Sequence, residues 1–76
     1  MWKLEFDGTT IAVSKDPLVL VDSAKEVLAK RLQSNSLALQ GDWKYVCGRF
    51  YAKFIETYVE GQDEYNAKVS RVREIE

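Results

Sequence analysis

The chain contains no histidine. That absence removes the usual general base near neutral pH, and with it the Ser-His and Cys-His nucleophile pairs. Cys47 is the only cysteine, so no internal disulfide can form. One thiol without imidazoles cannot furnish a tetrahedral zinc shell. The oxygen ligands Asp42, Glu56, Glu60, Asp63 and Glu64 fall into no calcium-loop spacing. No metal site and no cofactor are expected. No two carboxylates share the apolar setting that acid–base work requires, so an enzyme is not expected either.

Long apolar runs are missing too. Nothing approaches the ~20 residues that span a bilayer, and no membrane partner is expected. The opening MWKLEFDG alternates polar and apolar residues and is acidic early, unlike a signal peptide. A lone thiol suits a reducing compartment, so a cytoplasmic location is expected. Neither sign of charge dominates: 11 basic and 12 acidic residues leave a net charge of −1. That argues against general nucleic-acid binding, which needs a surplus of cations, but it leaves room for a local basic patch.

At 76 residues the chain is expected to be a single small domain, residues 1–76. Large apolar groups are frequent enough to drive folding. Trp2–Phe6, then Asp7-Gly8, then Thr9–Ser14 reads as a β-hairpin, since Asp-Gly is a favoured two-residue turn. Trp2, Leu4 and Phe6 share one side, with Lys3 and Glu5 opposite. On the return strand the alternation groups Ile11 with Val13, away from Thr10, Ala12 and Ser14.

Asp16 and Pro17 form a helix start, a capping side chain followed by a residue with no N–H to orphan. Leu20, Val21, Ala24, Val27, Leu28 and Leu32 then share a helical face, predicting a helix from Pro17 to about Gln33. Ser23 and Glu26 also make a capping-box pair, which allows a later helix start with PLVLV as a strand. Leu37 and Leu39, in the connector that follows, are expected to reach the core.

Residues 42–61, DWKYVCGRFYAKFIETYVEG, concentrate the aromatic side chains. Asp42 suits an N-cap and Gly61 a C-terminal stop, so a helix fits between them. Arg49, Lys53, Glu56 and Glu60 form a polar stripe on that helix, and Trp43, Cys47, Phe50, Phe54 and Tyr58 its apolar face. Cys47 is expected to be buried. The apolar arc covers roughly two-thirds of the circumference, more than the ~100° of an ordinary surface helix. Two strands broken near Gly48 are the competing reading, because aromatic and β-branched residues favour strands. The tail from Asp63 to Glu76 fits a helix slightly better than a strand.

The expected fold is therefore α+β, an N-terminal β-hairpin packed on two or three helices. The alternative is ββαββ, with the C-terminal half as antiparallel strands. The expected function is a small non-catalytic protein-interaction module, an adaptor, assembly factor or inhibitor. It would bind a larger protein, or a second copy of itself as a homodimer, through Tyr51, Ile55, Tyr58 and Val59 on the excess apolar helix face. The alternative is single-stranded nucleic-acid binding through Lys44, Tyr45, Arg49 and Lys53, interleaved with Tyr51 and extended by Arg71 and Arg73.

Overall fold

The structure is a computed structural model that describes residues 1–72. Strands β1 (Trp2–Phe6) and β2 (Thr9–Ser14) form the expected hairpin, with Asp7 and Gly8 both at positive φ, 50° and 89°. A bulge interrupts the pairing: Leu4 lies opposite Ala12, whereas Glu5 lies opposite Thr10. The extra residue is Ile11, and it shifts the phase of the strand. Ile11 and Ala12 therefore both pack against the core, while Val13 is exposed opposite Lys3. Simple alternation places Val13 inside, and the bulge corrects it.

Helix α1 (Pro17–Leu32) starts where the sequence indicates. The Asp16 carboxylate accepts a hydrogen bond from the Leu18 N–H at 2.9 Å, and Pro17 opens the helix. The later start is excluded, because Ser23 is helical and its hydroxyl donates to the Val19 carbonyl. Leu20, Ala24 and Leu28 recur every four residues and form the buried stripe. Gln33 ends the helix in the left-handed conformation, its N–H reaching the last turn.

The chain then departs from the expected fold. The hairpin is not packed on two or three helices; α1 is the only helix among the described residues. The C-terminal half forms β3 (Leu37–Val46), β4 (Arg49–Tyr58) and β5 (Gly61–Arg71). The ββαββ alternative has the right character but one strand too few. All strands pair antiparallel in the order β2-β1-β5-β4-β3. Asp42 is no N-cap; it lies at an irregularity in β3 between Gln40 and Lys44. Gly48 does not weaken a helix but makes a turn with Cys47, at φ 80° and 52°. Cys47 is exposed there rather than buried. The tail is β5, not a helix; the part of that expectation resting on Arg73, Ile75 and Glu76 lies outside the described residues.

The physical reason for the difference is arithmetic. Residues four apart share a face in a helix and also in a strand, since four is even. The series Phe50, Phe54, Tyr58 therefore fits both. The residues between them decide the matter: Ala52 packs on the core with Phe50 and Phe54, while Arg49, Tyr51, Lys53 and Ile55 point away. The polar stripe dissolves accordingly, because Glu56 lies on the helix-covered face and Glu60 lies in the β4–β5 turn.

The core joins Leu4 and Phe6 of β1, Ala67 and Val69 of β5, Phe54 of β4 and Leu37 of β3 to the stripe of α1. Leu37 and Leu39 reach the core as expected, but as residues of β3 rather than of a connector. Phe54 is 1% exposed and meets Phe6 and Trp43 edge-on, at 5.8 and 6.1 Å between ring centres. Only one face of the sheet is covered, since the one described helix packs on the Leu4–Val69–Phe54 side.

Candidate functional site

The uncovered face of the sheet is mostly polar, with Val13, Ile55 and Val46 as apolar exceptions. From β4 it receives Arg49, Tyr51, Lys53 and Ile55. From β5 come Lys68, Ser70, Asn66 and Glu64, from β1 Lys3 and Glu5, and from β3 Ala38, Gln40, Lys44 and Val46. Pairing fixes their neighbours. Tyr51 lies opposite Lys44 on one side and Lys68 on the other. Arg49 precedes it and Lys53 follows it on the same face of β4. A 40%-exposed aromatic ring is thus bordered by four cations. Adjacent strands run about 4.8 Å apart, so all four can reach a ligand laid on the ring.

Carboxylates offset some of this charge. Lys53 pairs with Glu64 at 3.4 Å, Lys68 with Glu5 at 3.5 Å and Lys3 with Glu5 at 3.9 Å. The first pair is half-exposed and contributes little, on the order of 0.2–1 kcal/mol. Glu5 is different: its side chain is 12% exposed, and Oε1 has no hydrogen-bond partner despite the nearby Lys68 ammonium. At 3.5 Å that contact is a charge interaction rather than a formed hydrogen bond. Among the described residues, Lys44 and Arg49 enter no ion pair.

The uncovered face carries two shallow hollows, and Tyr51 lines the first. One, of about 360 Å³, is bordered by Gln40, Asp42, Lys44, Tyr51, Lys53 and Asn66. The other, of about 450 Å³, lies between Lys3, Glu5, Arg49, Lys68, Ser70 and Arg71, with the Cys47-Gly48 turn at its edge.

Of the residues expected to bind a protein, Tyr51 and Ile55 share this face but Tyr58 and Val59 do not. Tyr58 lies at the far end of β4 on the helix-covered side, and Val59 is fully exposed in the turn beyond it. The Tyr58 phenol is pushed above its ordinary pKa of 10.0, chiefly by the neighbouring Asp63 carboxylate. Nearby, Tyr65 donates to Glu56 Oε1 at 3.1 Å, and its pKa is raised first by burial and then by that bond. Of the residues in the nucleic-acid alternative, Lys44, Arg49 and Lys53 converge around Tyr51. Tyr45 faces the other way and packs on Phe50 with ring centres 4.7 Å apart. Arg71 is also turned away, its guanidinium 4.8 Å from the centre of the Trp2 ring, and Arg73 lies outside the described residues.

Sequence reasoning missed Lys3, Glu5, Lys68 and Ser70. The polar side of the hairpin showed that Lys3 and Glu5 face together, but nothing local shows that β5 lies between β1 and β4. Among the described residues no group of three or more Cys, Asp or Glu side chains is placed to hold a metal ion, and no helix is long and apolar enough to cross a membrane. No protein-family model, curated protein or solved structure matches the chain.

Proposed function

We propose that the chain is a non-catalytic binding module whose uncovered sheet face takes single-stranded nucleic acid. The observation that carries this reading is Tyr51 bordered by Lys44, Arg49, Lys53 and Lys68. An aromatic ring offers a stacking surface to any base, worth about 1–3 kcal/mol per base, while the surrounding cations attract the backbone. The net charge of −1 is compatible with this, because acidic groups concentrate elsewhere. Asp16, Asp22 and Glu26 belong to the helix and its cap, and Glu56, Glu60 and Asp63 gather at the β4–β5 end. A cytoplasmic setting fits the exposed Cys47 thiol, which a reducing compartment would keep free.

The test is fluorescence anisotropy of a labelled mixed-sequence oligonucleotide at about 50 and about 200 mM salt. Four neutralised phosphates give a slope of roughly −3 in log affinity against log salt, hence about a 50-fold loss between those conditions. Flat titrations at both concentrations remove the reading.

A protein partner is the second reading, favoured by Ile55 and the half-exposed Val46 on the same face as Tyr51 and Arg49. Tyrosine and arginine are frequent anchors of interfaces. An acidic protein surface, or a second copy of the chain, would be the occupant. Sedimentation of the purified chain separates the second copy from the rest, because a monomer at high concentration removes it.

A further inference from the structure

The second hollow, around Ser70, carries a more specific assignment, which rests on the nucleic-acid reading of the face. Ser70 forms its floor and is 6% exposed. It lies opposite Lys3 on β1. Arg49 is its neighbour across β4, one position beyond the Phe50–Val69 pair, and Lys68 is its neighbour along β5. Three cations therefore border one hydroxyl on three sides. Arg71 does not count among them, since its guanidinium is engaged on Trp2. Arg71 still lines the hollow, so against Lys3, Arg49, Lys68 and Arg71 stands the single carboxylate of Glu5, and four positive charges less one negative leave the hollow at +3. Glu5 is in contact with both lysines, which keeps them at one end and leaves Arg49 uncommitted at the other.

We propose that this hollow is a phosphate subsite, seating one phosphodiester over Ser70 while the adjoining base lies on Tyr51. A guanidinium offers a planar fork to two oxygens of a phosphate, and the two ammonium groups add point charges. Strand spacing of about 4.8 Å and a rise of about 3.3 Å per residue place Ser70 and Tyr51, diagonal neighbours, about 8 Å apart. Lys68 borders both and joins the two halves of the site. The Glu5 carboxylate, held between Lys3 and Lys68, repels an anion at its own end, so the phosphate sits towards Arg49 and the Gly48 turn.

The test uses the full chain labelled with nitrogen-15 and two probes, inorganic tripolyphosphate and a deoxythymidine dodecamer. Tripolyphosphate is expected to shift the amides of Gly48, Lys68 and Ser70. Joint replacement Lys3→Gln and Arg49→Gln is expected to abolish those shifts, weaken the dodecamer about tenfold and reduce the salt slope by roughly 0.7, the share of the one phosphate that the hollow seats. Tyr51→Leu is expected to keep the tripolyphosphate shifts and the slope while weakening the dodecamer. Lys30→Gln, on the exposed side of α1, is the control and should change neither. Shifts clustered on α1, or a double variant that binds like the control, overturn the subsite. Dodecamer binding with no response at Ser70 overturns the subsite alone. Tripolyphosphate shifts at Ser70 without dodecamer binding keep the subsite and overturn the nucleic-acid reading. The wild-type shifts decide the matter even if the double variant does not fold.

Discussion

Phe54 and Tyr51 belong to the same strand and face opposite ways. Phe54 is 1% exposed between Phe6 and Trp43; Tyr51 is 40% exposed between cations. The face with Phe54 also buries Leu4 and Val69 completely and is closed by the stripe of α1. The face with Tyr51 buries only polar residues, Glu5 and Ser70. One side of the sheet thus holds the fold together and the other is available for a ligand. A single helix of about 24 Å cannot cover both sides of strands up to about 36 Å long. The difference teaches that the aromatic side chains of residues 42–61 are divided between two faces, one that closes the core and one left open.

The largest expected effect tests that division directly. Phe54→Ala should destabilise by about 3–5 kcal/mol, which removes most of the stability of so small a domain. Tyr51→Ala should cost within about 0.5 kcal/mol, as an exposed substitution. Circular-dichroism melts measure both, and a Tyr51→Ala chain as unstable as Phe54→Ala would break the comparison. Next in size, Tyr51→Ala should weaken oligonucleotide binding by about 1–3 kcal/mol, or roughly 5- to 150-fold. Equal affinity would place the ligand elsewhere.

Smaller effects sharpen the picture of what covers the core. Asp16→Ala removes the acceptor for the Leu18 N–H and should cost about 1 kcal/mol in urea denaturation, with binding to the uncovered face unchanged in the native chain. Cys47→Asn should stabilise by about 0.5–1 kcal/mol, because φ of 52° suits asparagine better than cysteine. A loss of stability instead would show that the thiol has a contact of its own. The last effect is one of pH. Because the folded Tyr65 phenol has a raised pKa, its stabilising contribution is complete below 10.0 and is lost as pH rises through the folded value. Stability should therefore fall in alkali, and Tyr65→Phe should flatten that fall, as denaturation midpoints at several pH values would show.

Much of the N-terminal half is legible locally. The Asp7-Gly8 turn, the Asp16 cap and the Leu20–Ala24–Leu28 stripe each follow from neighbouring residues. The Ile11 bulge escapes such reading, because it is a relation between two strands. Residues 42–61 misled for the reason that Phe50 and Phe54 satisfy two periods at once; Ala52, with Cys47-Gly48 as turn residues, was the informative signal. The site was half legible. Lys44, Arg49, Tyr51 and Lys53 are near one another in sequence, whereas Lys3 and Lys68 arrive from opposite ends of the chain.

The sequence by itself determined the chemistry on offer: no imidazole, one thiol, mixed charge, and short segments whose turns and caps are encoded by their own residues. Only the tertiary structure decided which side chains meet. Insertion of β5 between β1 and β4 brings Lys3, Arg49 and Lys68 around Ser70, and antiparallel register sets Tyr51 between Lys44 and Lys68. Strand order is fixed by burying Leu4, Val69 and Phe54 together beneath one helix, a collective packing energy that no local stretch of residues carries.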